Sequence, residues 1–191
     1  MKTKLVILSA IFVLATVTLQ AQGGFGILGG VNFQNLNGKA FNGDKLENDM
    51  ITGFHLGVNL QVPIAPEFYF QPGLLFSTKG AKTSVSTIKL SYIELPLNLV
   101  YKGALGSGFV LVGFGPYAGY SIGSKEMTEY GELKAFDAGA NIFAGYEMAG
   151  GLFFQLNAQY GMLNINPDTD SSGDKTAVKN TGFGLSLGYR F

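Results

Sequence analysis

From Gly24 onward the chain is written in a two-residue period, and the period returns eight times. Ile51 to Val62 sets Thr52, Phe54, Leu56, Val58, Leu60 and Val62 against Gly53, His55, Gly57, Asn59 and Gln61. The same alternation runs through Gly24 to Gln34, Glu67 to Lys79, Leu90 to Tyr101, Phe109 to Ile122, Phe136 to Glu147, Leu152 to Leu163 and Thr181 to Phe191. Successive side chains of a strand point to opposite faces, so each segment reads as a strand with one apolar and one mixed face. The fold class that follows is all-β.

The connections decide the topology. Those at Pro63 to Pro66, Gly103 to Ser107 and Met148 to Gly151 are short. Those at Asn35 to Asp49, Gly80 to Lys89, Gly123 to Lys134 and Asn164 to Lys179 are long, polar and rich in charge. Short at one end and long at the other is the pattern of an eight-stranded antiparallel up-and-down transmembrane β-barrel. A β-sandwich would mix the two lengths. Both termini then lie at the short-turn, periplasmic end.

Composition tells which face is outside. Only 14% of the residues are charged and 28 are Gly, whereas a soluble domain carries about 25% charged residues. The mixed face holds Gly, Asn, Gln and Ser, a poor surface for water but a good filling for a narrow barrel. The apolar face carries rings at the strand ends: Phe25, Phe68, Phe70, Tyr101, Tyr146, Phe154, Tyr189 and Phe191 at the short turns, and Phe33, Phe54, Phe76, Tyr120, Phe136 and Tyr160 at the long loops. Two aromatic girdles around an aliphatic band mark a surface that faces lipid. Tyr69, Tyr92, Phe109, Tyr117, Phe143 and Phe153 are expected inside.

Residues 1–21 read as a cleaved secretory signal peptide. Lys2 and Lys4 precede an apolar run from Leu5 to Leu19, and the small Ala21 closes it. The run is shorter than the ~20 residues of a spanning helix. Residues 22–191 form the outer-membrane barrel domain, and the expected location is the cell outer membrane. The formal net charge is zero, which excludes a broad electrostatic footprint for nucleic acid or for an anionic membrane surface. With no Cys, disulfides, thiolate chemistry and most zinc sites are excluded, and no cofactor is expected.

Several segments carry a family resemblance. They are Phe68 to Phe76 (FYFQPGLLF), Ser91 to Leu97 (SYIELPL), Gly113 to Tyr117 (GFGPY), Asp137-Ala138-Gly139 with Gly145-Tyr146-Glu147, and the terminal Gly188-Tyr189-Arg190-Phe191. In this order the chain resembles the PorT-like outer-membrane β-barrel family, small eight-stranded barrels of Gram-negative bacteria. The resemblance implies fold and location; some relatives are linked to protein secretion and gliding machinery. Leu187, Tyr189 and Phe191 also resemble the C-terminal signal read by the barrel-assembly machinery.

Sites for chemistry are few. His55 is the single His, and it lies on the mixed face, whereas a lipase triad needs its base at the lipid-facing rim. Ser77, Ser91 and Ser121 lack a nucleophile-elbow context. No catalytic residue is therefore assigned, although a lipid-modifying enzyme remains the rival reading. Glu67, Glu94, Asp137, Glu147 and Arg190 are expected as a packed polar network in a non-conducting lumen, with Arg190 paired to Glu67 or Glu147. Asp168, Asp170, Ser172 and Asp174 resemble the opening of a Ca²⁺ loop, but Lys179 stands where the bidentate Glu belongs. The expected partners are outer-membrane lipid and the assembly machinery. The function expected is non-catalytic: four extracellular loops for surface contact or envelope integrity, with a subunit of a secretion machine as a further alternative.

Overall fold

The computed structural model describes residues 24–39, 48–82, 87–122, 127–128, 131–132, 134–166 and 177–191. The signal-peptide segment and the Asp168 to Asp174 loop lie outside the described residues. The described residues form ten strands: β1 (Gly24–Lys39), β2 (Ile51–Ala65), β3 (Phe68–Lys82), β4 (Thr87–Leu105), β5 (Gly108–Ser121), β6 (Met127–Thr128), β7 (Gly131–Glu132), β8 (Phe136–Glu147), β9 (Leu152–Gly161) and β10 (Ala177–Arg190). Eight of them close a barrel in the order β1-β10-β9-β8-β5-β4-β3-β2, and β6 and β7 pair with each other apart from it.

Closure is antiparallel throughout, with β1 meeting β10 from Gly26↔Arg190 up to Lys39↔Ala177. A barrel in lipid has to satisfy every backbone group this way, because nothing in the hydrocarbon can accept or donate. Following partners from Gly24 through Gln61, Gln71, Asn98, Gly115, Asn141, Gln159 and Gly182 returns to β1 at Gln34, ten residues above the start. That stagger tilts the strands by roughly 40° to the barrel axis.

The faces follow the alternation. Phe114 is 59% exposed and Leu97 37%, while Tyr92, Val100, Leu111 and Phe153 on the opposite face are fully buried. The rings of the girdles meet in cross-strand pairs: Phe33 on Phe183 at 5.1 Å and Phe54 on Phe76 at 5.6 Å toward the long loops, Phe68 on Tyr101 at 5.5 Å and Tyr146 on Phe154 at 6.0 Å toward the short turns.

Strand lengths depart from the sequence reading. β1 runs on from Gln34 to Lys39, β3 reaches Lys82, β4 starts at Thr87 and β10 at Ala177, so the barrel wall climbs into segments read as loops. The reason is a second core. Leu36, Ala81, Ile88, Leu90, Tyr92, Ile165 and Val178 form one buried apolar cluster inside the long-loop end. Those few apolar positions, set among polar neighbours, keep the extended walls packed inward.

Candidate functional site

The lumen is filled in layers, read here along β4, whose inward residues descend from Ile88 to Lys102. At the top lies the apolar plug around Tyr92. The segment after β9 turns inward to complete it: Asn164 Oδ1 accepts from the amides of Asn166 (3.0 Å) and Val178 (2.8 Å), and Ile165 N donates to Val178 O at 2.9 Å. Ile165 is thereby held fully buried.

Beneath the plug sits an ion cluster. Lys79, with 0% side-chain exposure, pairs with Glu94 and lies 3.4 Å from Asp137. Tyr117 and Asn180 both donate to Asp137 Oδ2, at 3.0 and 2.9 Å. Gln159 donates to Glu94 at 3.3 Å. The Lys79 ammonium also stands 4.5 Å from the Tyr117 ring centroid and 5.2 Å from that of Tyr92. Buried charge is tolerable only with this degree of pairing and hydrogen bonding.

The middle of the barrel is a chamber of about 90 Å³, lined by Asn32, Asn98, Asn141, Gln155, Asn157 and further amides. Its wall holds a hydrogen-bonded trio. His55 Nε2 lies 2.7 Å from Ser186 Oγ, and His55 Nδ1 lies 2.5 Å from Asn32 Oδ1. Asn157 donates to Ser186 Oγ at 3.0 Å, and Asn32 donates to Ser77 Oγ at 3.2 Å. Below the chamber Val100, Leu111 and Phe143, with Tyr69, form an apolar constriction.

The short-turn end closes on a second ion cluster. Glu147 takes Lys102 at 2.6 Å on one oxygen and Arg190 Nε at 2.9 Å on the other. Arg190 also donates to Asn59 Oδ1 at 2.9 Å and lies 5.1 Å from the Phe153 ring centroid. Gly24 and Gly26 make room for it, since a Cβ at Gly24 would stand 2.6 Å from Arg190 Cδ.

Of the five residues read as a lumen network, Glu94 and Asp137 meet at the upper cluster and Glu147 and Arg190 at the lower. Glu67 is the correction. It occupies the tight β2–β3 turn at φ 63°, exposed, because the turn's left-handed position lifts it out of the strand's alternation. The sequence reading named no cation but Arg190 inside. Lys79 stood on the mixed face of its segment, which was the available signal; Lys102 continues the inward phase of β4 past Val100. Ser186, also on a mixed face, was passed over as a partner for His55. Leu187, Tyr189 and Phe191 all point outward, at 58%, 42% and 71% exposure. Among the described residues no group of three His, Asp or Glu could hold a metal ion.

Comparison with known proteins gives one sequence family. No curated protein sequence matches the chain. Among solved structures it resembles the outer membrane protein OprG from Pseudomonas aeruginosa (15% identity, 88% of this chain and 96% of that one, TM-score 0.48). It also resembles Ail, the attachment invasion locus protein of Yersinia pestis (17%, 88% and 99%, TM-score 0.45). The outer membrane protein AlkL is similar too (16%, 90% and 91%, TM-score 0.42). The model of the outer membrane protein β-barrel domain matches residues 5–191, and the chain belongs to that family.

Proposed function

We propose that this outer-membrane barrel is a non-catalytic, non-conducting scaffold that presents its long-loop end for surface contact or envelope integrity. The observation that carries the reading is the occluded lumen: an apolar plug, two ion clusters and an apolar constriction follow one another along the axis. Eight strands enclose a space that side chains can just fill, so binding falls to the loops of a rigid frame. Outer-membrane lipid surrounds the barrel, the assembly machinery inserts it, and Leu187, Tyr189 and Phe191 serve as the insertion signal. The experiment is reconstitution in planar bilayers, with crosslinking in native membranes. The expected result is no resolved single-channel steps and a partner captured through the loops. Steady wild-type conductance overturns the closed-lumen reading.

A second reading rests on the His55–Ser186–Asn32 trio, which has the connectivity of a nucleophile, a base and its orienter. An acyl lipid would have to pass the apolar plug or the lower apolar constriction to reach the chamber of about 90 Å³, so the trio is read as structural. Lipid A and phospholipid turnover, measured with wild type and His55→Ala, separates the two. Turnover that His55→Ala abolishes establishes the enzyme. The PorT-like resemblance favours a third reading, an accessory subunit of a secretion machine, which the same crosslinking tests by the identity of the partner.

A further inference from the structure

The short turns are apolar at their tips. Ile64 at the end of β2, Leu105 at the end of β4 and Met148 just after β8 are 58%, 58% and 44% exposed. Each continues the outward phase of its strand, Ile64 after Val62, Leu105 after Tyr101 and Met148 after Tyr146. Phe191, outward after β10 and hydrogen-bonded through its amide to Phe25 O, stands at the fourth junction. Pro66, Ala104 and Ala149 fill the turns beside them. Among the described side chains of this end Glu67 is the exposed charge, while Lys102 and Arg190 turn inward and meet at Glu147. Turns ordinarily carry Gly, Asn, Asp and Ser, so apolar tips at every junction mark a surface that meets something other than water.

Their level identifies what they meet. At a strand tilt of roughly 40°, Leu105 lies roughly 10 Å beyond Tyr101 along the barrel axis, and Ile64 and Met148 roughly 5 Å beyond Val62 and Tyr146. An aromatic girdle sits at the headgroup boundary, and the headgroup layer beyond it is about 5–8 Å deep on each side of the bilayer. The tips therefore span that layer. The girdle holds them there. Tyr146 donates to Leu105 O at 2.9 Å. Tyr101 leans along its own strand toward the turn, so that a Cβ at Gly103 would stand 2.6 Å from its hydroxyl. Both rings thus bridge the lipid-facing band and the turn.

Building on the outer-membrane placement, we infer that Ile64, Leu105, Met148 and Phe191 form an interfacial anchor that seats the short-turn end in the phospholipid leaflet around it. Continuity selects the occupant. The tips extend, in the same phase, the outward face that meets lipid, whereas a protein docking from the periplasm would meet side chains directed along the axis. Apolar side chains at this level bury among headgroups and upper acyl carbons, as those of an interfacial helix do. Ile, Leu, Met and Phe supply no charge, so the leaflet needs no anionic lipid. The anchor fixes the depth of the barrel in the membrane.

The chain has no Cys, so single cysteines report without background. The full barrel carrying Ile64→Cys, Leu105→Cys, Met148→Cys or, as control, Glu67→Cys is placed in phosphatidylcholine nanodiscs, which leave both membrane faces open. A membrane-impermeant maleimide should label the three tip cysteines about tenfold or more slowly than the control, and all of them alike in urea. Labelling at the control rate overturns the anchor. Protection in native outer membranes but not in nanodiscs assigns the tips to a protein partner and overturns the lipid assignment. Should a cysteine variant fail to fold, the unsubstituted barrel gives a second readout. A phospholipid bearing a nitroxide high on its acyl chain should erase the Met148 methyl NMR signal, and a soluble gadolinium chelate should leave it sharp. The reverse pattern overturns the proposal. None of these outcomes bears on conductance, so the closed-lumen reading stands or falls separately.

Discussion

His55 Nε2 and Ser186 Oγ meet at 2.7 Å although a whole strand separates them. β1 runs between β2 and β10, and its Gly30 is paired with His55 on one side and Ser186 on the other. Without a side chain at Gly30 the imidazole reaches over the backbone of β1. A Cβ there would lie 1.9 Å from Leu185 O and 2.8 Å from His55 Cε1.

Gly30→Ala therefore has to part β1 from β10 or expel the ring. The expected destabilisation is about 1–3 kcal/mol, the range for overpacking, read as a lower urea midpoint in micelles. Ser186→Ala should cost a comparable ~1–3 kcal/mol, because Asn157 loses its buried acceptor. If Gly30→Ala unfolds at the wild-type midpoint, the close approach described here is wrong.

Lys79 is the sole cation between Glu94 and Asp137 among the described residues. Lys79→Met leaves two buried carboxylates facing each other without a counter-charge, expected to cost about 3–5 kcal/mol. Adding Glu94→Gln and Asp137→Asn removes the orphaned charges and should recover most of that loss. Equilibrium unfolding of the single and triple variants checks the pair of outcomes. A triple variant no more stable than the single one would refute the pairing.

What the sequence made legible was phase. Strict alternation assigned Phe114 and Leu97 to the lipid and Tyr92 and Phe153 to the lumen, since a strand has only two faces. Partner choice was less legible. Lys79 and Glu94 lie on consecutive strands and meet only because β3 and β4 pair with Leu75 opposite Glu94, a register that no single strand records. Glu67 failed for the opposite reason: a positive-φ turn breaks the period that the reading relied on. The upward extension of β1 and β4 was hidden because isolated apolar residues such as Leu36 and Ile88 look like loop residues until their common cluster is seen.

At the lower cluster Glu147 is the shared anion of Lys102 and Arg190. Glu147→Gln strands two cations at once and should cost about 3–5 kcal/mol. Arg190→Met made in that background should cost much less than in the wild type, a coupling of about 0.5–3 kcal/mol between neighbours. A double-mutant cycle by urea unfolding gives the number. Strict additivity would show that the two side chains do not sense each other.

Leu97 offers the sharpest test of what surrounds the barrel. It projects outward on β4, four residues above Tyr101 of the lower girdle and four below Ile93, which pairs with both Phe76 and Tyr120 of the upper one. That places it near the centre of an apolar band with no described charge. An arginine there has no lumen to turn into, because the neighbouring inward positions are filled by Pro96 and Asn98, both buried. Its guanidinium must snorkel the half-thickness of the hydrocarbon or draw water in. Leu97→Arg should therefore cost ~2–4 kcal/mol in lipid vesicles and much less in a short-chain detergent, where water lies closer. Lys89, exposed on the same face of the same strand beyond the upper girdle, is the control position: Lys89→Arg keeps the charge and should cost far less than Leu97→Arg. Unfolding of Leu97→Arg in vesicles at the wild-type midpoint would mean that this face does not lie in hydrocarbon.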